Sequence, residues 1–503
     1  MPDRTNAFSA PNHHSRGGAP LPKDGVSAEV GDGPRSFAAE MPSCGNGTRC
    51  NRTTGNTQGR CASRRNSLPP GRMNLPTNRQ PPQPRCVMTS RERVLAAINH
   101  QEPDRVPIDL GGMRSTGIMA IAYNRLKERL EMGGDTAHVY DVVQQLAQPE
   151  EAVLQFAQAD VVDLGRAFWT EPEDWQDWPL PDGSGAKLPA TAKLRCEPEG
   201  QYLDAEDGTV LGAMPTGALY LSQRYWPLAD WDGSGDLANL PNLLKNVTWA
   251  ALPTPPSHLP MTPEHVAEVR RRGQVLRDST DYAIMAAFGG NLLEWGQFLC
   301  GSENFLCDLA ANPAKVEKLL DRLVELHLAN LEPFAKAVNG IVDLVQMGDD
   351  LGGQAGPQLS PAMYRRFFKE RHRVLYDAVK EKTGAHLFLH SCGSVAALLP
   401  DLVDIGVEVL NPVQTNAAGM EPAFLKREFG QHLTFWGGGC DTRHVLPNGD
   451  AREIADHVKE RVDTFAPGGG FVFTQVHNIM ANVPPDNIVS MYEAIGRYGR
   501  RSG

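Results

Sequence analysis

The 503-residue chain is 41% hydrophobic and 22% charged, ordinary usage for a globular protein with a sizeable core. It holds no run of about 18 apolar residues that would span a membrane. Its formal charge of −11 is uneven: residues 1–87 carry 12 Lys+Arg against 5 Asp+Glu, and residues 88–503 carry 37 against 55, so the acidic body is a poor partner for nucleic acid.

Residues 1–87 are rich in Pro, Gly, Asn, Ser and Arg and show no apolar periodicity, which predicts a disordered basic extension. The folded domain is expected over 88–503, and a chain beginning at Met88 is expected to keep its thermal stability. The nine cysteines are sparse and irregular, which argues against a disulfide framework and for a reducing cytoplasm. From Thr89 a capped helix continues into "RVLAAINH". "RVPIDL" then reads as a first strand ending in Gly111-Gly112. Helices follow over "IMAIAYNRLKERLEM" and 149–158, and "DVVDLG" reads as a second strand. Residues 166–256 break this rhythm with many Trp, Pro, Gly and Asp residues, and the alternation around Asp207-Gly208 predicts a hairpin. They are expected to form a β-rich insertion near the barrel mouth.

The alternation resumes with the helix "HVAEVRRRGQVL", the strand "YAIMAAFG" and the long helix around "KVEKLLDRLVELHLANL". "GIVDLVQMGDD" is a strand delivering Asp349 and Asp350. Four more apolar runs each end in a polar cluster: "HLFL" at 390–393, "VEVL" at 411–414, "LTFW" at 437–441 and "FVF" at 474–478. Helices are expected over 395–405, 421–429 and 451–465, and a last one at "NIVSMYEAIGRYG". Apolar strands without polar alternation mark a parallel sheet covered on both faces, and eight of them alternating with helices predict a (β/α)8 TIM barrel. Residues just after the strands would converge on one mouth.

His390 and Cys392 stand two apart after a strand, where alternate positions face the same way, so imidazole and thiolate can share a focus. Cys440 and His477 follow two later strands. Three protein ligands with one open position is the pattern of catalytic zinc; a His/Cys hydrogen-bond network beside an organic site is the alternative. Asp349 and Asp350 suit a general acid or a metal or cationic group, or else cap the helix ahead of them. Asp109 is a similar candidate, with turn-making before Gly111-Gly112 as its alternative. Asn411, Gln414 and Asp441 are read as substrate-binding residues, and glycines 437–439 would let a substrate approach backbone N–H groups.

The segments "RERVLAAINHQEPDRVPIDLGG", "LVQMGDDLGGQAGPQLSPAMYRRFFKE", "HLFLHSCGSVAALLPDLVDIGVEVLNPVQ", "GGGCDTRHVLP" and "APGGGFVFTQVHNIMANVPPDNI" together resemble the uroporphyrinogen decarboxylase superfamily. The likeness runs over about residues 88–498 and is strongest toward the cobalamin-dependent methyltransferases. It implies the same barrel. The decarboxylases carry a Met-Arg-x-x-Gly-Arg-Tyr segment after the first strand, whose arginines hold substrate carboxylates. Here residues 113–119 keep Arg114 but have neither the second arginine nor the tyrosine. The methyltransferase branch is matched at His-x-Cys by His390 and Cys392, and its third zinc ligand, usually Cys, corresponds to His477. The implied ligand set is His390, Cys392 and His477 with an open site, or these with Cys440, displaced by substrate.

A neutral imidazole in place of a thiolate leaves the metal more electron-poor, favouring an ether, amine or carboxylate oxygen over a thiol. The resemblance thus implies a zinc-dependent methyltransferase moving a methyl group between a small methylated substrate and a corrinoid held on a separate protein, or a thiol or folate acceptor. Asp350 or Asp109 would handle a proton and Arg114 would bind substrate. The alternative is a metal-free decarboxylase of uroporphyrinogen or another polycarboxylate.

Overall fold

The computed structural model describes residues 87–134 and 136–500, so the extension expected over 1–87 lies, but for Val87, outside the described residues. At the centre is a seven-stranded parallel sheet. In spatial order its strands are Phe471–Val472, Thr434–Trp436, Val409–Asn411, His386–His390, Leu344–Gly348, Ala283–Gly289 and Val161–Asp163. These runs are apolar on both faces because both are covered; every residue of Leu344–Gly348 is buried. Helices cover the outer face. Ala451–Phe465, started by an Asp450/Glu453 capping box, buries Ile454, Val458, Val462 and Phe465 at helical spacing.

Along the strands, alternate residues face inward. Val161, Met285, Leu344, Phe388, Val409, Trp436 and Val472 meet in one cluster, joined by Val94, Ala97 and Ile98 of the helix Ser90–Ile98. That helix lies across the starts of the strands. The Arg91 N–H donates to Asp281 O at 2.7 Å, the Gly470 N–H to Ala97 O at 2.8 Å, and the Thr434 hydroxyl to Ile98 O at 3.4 Å. Its Arg93 guanidinium pairs at 2.6 Å with fully buried Asp160, which also holds Arg105 at 2.7 Å.

The expected first strand, "RVPIDL", makes a single parallel bridge, Ile108 to Phe473. Pro107 lacks the N–H that would extend the ladder. Its neighbours still bond on both sides: Phe473 N to Pro107 O at 2.8 Å, Asp109 N to Phe473 O at 2.9 Å, and Asp160 N to Ile108 O at 2.7 Å. The segment therefore lies between the last strand of the curled sheet and the chain entering Val161–Asp163.

Two further sheets stand apart from the parallel one. One has five strands in the order Ile118–Met119, Leu146–Ala147, Ala137–Asp141, Gly185–Pro189, Trp175–Pro179. The other is antiparallel, in the order Ser222–Gln223, Val210–Pro215, Gly200–Asp204, Leu194–Glu197. Its hairpin turns at Asp207-Gly208, where Gly208 has φ +85°, a conformation that glycine adopts without steric cost. Leu203, Leu211, Met214 and Leu221 of this sheet and its flank pack on Val143. No helix among the described residues is long and apolar enough to cross a membrane.

Candidate metal centre

His390 closes its strand with its side chain inward, and Cys392 follows in a tight crossing of two loops. Gly393, at φ +81°, sits so close to Gly352 that a Cβ there would meet Gly352 C at 2.5 Å, and Gly353 bridges to Ser394. Only glycine permits this approach. It carries Asp350 to the turn, where the Cys392 N–H donates to Asp350 Oδ1 at 2.8 Å.

His390, Cys392 and His477 each offer one donor atom, and the three atoms lie within 4.8 Å of one another. His390 Nε2 is 3.3 Å from Cys392 Sγ, and the two imidazole rings meet edge to face with centroids 5.4 Å apart. Tetrahedral donors about 2.0 to 2.3 Å from a shared zinc ion stand about 3.3 to 3.8 Å apart, so this group would close on one ion by a side-chain shift of about 1 Å. A mixed imidazole and thiolate set is borderline-soft, as zinc prefers.

The protonation states also fit. His390 Nδ1 is 2.7 Å from Asn411 Oδ1, and the Asn411 amide is oriented by its own Nδ2 donating to Trp436 O at 2.9 Å. The oxygen can only accept, so Nδ1 carries the proton and Nε2 presents its lone pair to the group. Burial, then neighbouring His390, pushes His477 down to about 3, keeping it neutral. Its backbone is left-handed at φ +61°, strained for a non-glycine residue, and its carbonyl accepts from Gln475 Nε2 at 2.8 Å. Burial, then the nearby carboxyls of Asp350 and Glu294, hold the Cys392 thiol well above its ordinary value. Forming the thiolate here calls for a cation.

The paired aspartates divide their work. Asp350 Oδ1 stands 3.6 Å from His390 Nε2. Asp349 turns away: it accepts from the N–H groups of Leu292, Leu293 and Glu294 at 2.9 to 3.1 Å and from His372 Nε2 at 3.0 Å. It thus caps the helix Leu293–Cys300 and not the helix ahead of it, whose cap is Ser360.

Two neighbours escaped the sequence reading. Ser115 Oγ lies 3.4 Å from His390 Nε2. Glu294 Oε2 accepts from the Asp350 N–H at 3.1 Å and from Asn291 Nδ2 at 2.5 Å, and burial, then Asp350 and Asp349, raise this carboxyl well above the ordinary range. The available signal was an acidic residue in the first turn of the helix after the strand "YAIMAAFG".

The remaining candidates fall elsewhere. Cys440 lies outside the group, fully buried in the hydrophobic core, its thiol raised by burial and then by Asp441 and lowered by Arg461 of an outer helix. Gly437 at φ +105° and Gly438 at φ +73° turn the chain just before it. The N–H groups of Gly437 and Gly439 are engaged by Val472 O and Thr474 O, leaving neither for a ligand. Asp109 is fully buried, accepting from Trp436 Nε1 at 2.8 Å and the Gly112 N–H at 2.7 Å; burial dominates and raises it to about 6.

Arg114 follows Met113 beside Ser115, donating to Thr254 Oγ1 at 2.7 Å, 3.5 Å from Asp141 and over the Trp249 ring. Gln414 accepts from the Gly393 N–H at 2.9 Å and so holds the Cys392 turn. Burial would raise Asp441, but the N–H groups of His444 and Arg443 and the Asn416 amide hold it below its ordinary value; it closes a loop.

A search of curated proteins found no match to the chain. A solved structure described as methyltransferase from Methanosarcina mazei is similar over 82% of this chain and 99% of that one, with 16% identity and a TM-score of 0.48. The family profile described as uroporphyrinogen decarboxylase (URO-D) matches residues 285–498, from within the strand Ala283–Gly289 to the end of the last helix. Over these residues the chain is similar to the URO-D family.

Proposed function

We propose that this protein is a zinc-dependent methyltransferase that moves a methyl group between a small methylated substrate and a corrinoid on a separate partner protein. The observation that carries this reading is the convergence of His390, Cys392 and His477 with the His390 Nε2 lone pair turned inward. When bound, zinc supplies a Lewis acid that polarises the substrate heteroatom. Asn411 fixes the His390 ring, and neutral His477 and the Cys392 thiolate complete the donor set. Asp350, beside both His390 and Cys392, handles a proton at Oδ1, and Arg114 with Trp249 contacts the body of the substrate. Asn411, Gln414 and Asp441 act on the shape of the site and not on the substrate.

In this reading the 106–110 segment is the eighth strand that closes a (β/α)8 barrel. Residues 166–256 are a β-rich insertion near its mouth, and the protein works in the cytoplasm. The test is metal analysis of the full chain beside His390→Ala and Cys392→Ala. About one zinc per parent chain, lost in both variants, is expected; a metal-free parent would sink the idea. The URO-D match supports a second reading, metal-free decarboxylation of uroporphyrinogen or another polycarboxylate, with Arg114 binding a carboxylate. Release of carbon dioxide from uroporphyrinogen at an enzymatic rate by metal-stripped protein would favour it.

A further inference from the structure

Two carboxyl groups beside the donor atoms are not needed to hold an ion. Asp350 Oδ1 is fixed by the Cys392 N–H and lies 3.6 Å from His390 Nε2. Glu294 is fixed in turn by the Asp350 N–H and Asn291. Among the described residues no Lys or Arg forms an ion pair with either group. Arg114, the cation next to Ser115, is directed to Thr254 and Asp141. The helix start that presents Glu294 is itself pinned by buried Asp349, so the carboxyl pair is built in rigidly.

We propose that Asp350 and Glu294 make this centre selective for amines and alcohols, methylated in the substrate, and against thiols. The inference rests on the metal-dependent reading above and adds the class of ligand. A thiol binds metal as a thiolate, which brings a second negative sulfur beside Cys392 and no hydrogen-bond donor. The Asp350 carboxylate, which has no cationic partner, opposes that charge, and Glu294, accepting the Asp350 N–H, holds it beside the donor atoms. Once the methyl group has left and the heteroatom has taken a proton, the amine or alcohol carries no negative charge and offers an N–H or O–H, which a carboxylate accepts strongly. The selection therefore acts through repulsion of one class as much as attraction of the other.

The experiment loads the full chain with Co2+ and reads its visible spectrum during titration with two probes of matched size, ethanolamine and 2-mercaptoethanol. It is repeated on the Glu294→Gln, Asp350→Asn double variant. In the wild type, ethanolamine is expected to perturb the cobalt bands at a lower concentration than the thiol. In the variant the thiol is expected to bind at least about tenfold more tightly, with growth of the sulfur-to-cobalt charge-transfer band, while ethanolamine weakens. If the double variant does not fold, the wild-type order of the two probes and the Asp350→Asn variant alone carry the decision. Tighter binding of thiol than ethanolamine by the wild type, or thiol affinity untouched by the substitutions, overturns the inference. A wild type that takes up no cobalt overturns the metal reading itself, before either probe is added.

Discussion

His390 donates its Nδ1 proton to Asn411 Oδ1 at 2.7 Å, and Asn411 is in turn held by Trp436 O at 2.9 Å. This chain runs from the interior of the sheet to the donor atom, and it fixes both ring orientation and tautomer. Replacing Asn411 with Ala is expected to weaken zinc binding by about 10 to 100-fold without removing a ligand. Competition against a chromogenic chelator measures it. Unchanged affinity would show that the ring needs no such partner.

Cys440 and Cys392 are expected to respond oppositely to the same substitution. Cys440→Ser should keep one zinc per chain while losing roughly 1 to 3 kcal/mol of stability, because a hydroxyl is placed in an apolar site. Cys392→Ser should lose zinc. Metal content and urea unfolding of both variants separate a three-residue ligand set from one that includes Cys440.

Asp109 carries a pH signature. Its carboxyl is raised from 3.8 to about 6 by burial, so the folded state holds the proton more tightly than the unfolded state. Its contribution to stability is fully present below about pH 4 and is lost as pH rises through about 6, a change of roughly 3 kcal/mol. Urea unfolding at pH 4.5, 5.5 and 7 should show this slope in the wild type and its loss in Asp109→Asn. Parallel profiles for the two proteins would contradict it.

Asp160 joins three parts of the chain. Its carboxylate takes hydrogen bonds from Arg93, Arg105 and the Ile108 N–H, all at 2.6 to 2.9 Å. Asp160→Ala leaves two guanidinium groups without their buried partner and is expected to cost about 3 to 5 kcal/mol. Denaturant midpoints report it, and a loss under 1 kcal/mol would show that the 106–110 segment is held by other means.

The strands that end at His390, Asn411 and Trp436 were legible because uninterrupted apolar runs bounded by polar clusters have few other structural solutions. Helix Ala451–Phe465 has the predicted bounds because its cap and its Ile454, Val458, Val462 stripe agree. His390 and Cys392 followed from strand alternation. Cys440 did not, because Gly437 and Gly438 turn the chain just before it and its thiol is buried in the hydrophobic core, outside the ligand group. Neighbouring Asp349 and Asp350 were indistinguishable in sequence, since the choice between them depends on where Leu293–Cys300 begins in space. Glu294 was hidden for the same reason: its role comes from a neighbour 56 residues away, Asp350.

The helix Ser90–Ile98 has a consequence for traffic. With Val94, Ala97 and Ile98 packed into the inward-facing cluster, the end of the sheet where the strands begin is stoppered. Under the proposed transfer reaction, donor and acceptor would then both reach His390 from the other end, where the strands finish. The order in which they come and go would then belong to the architecture as well as to the chemistry.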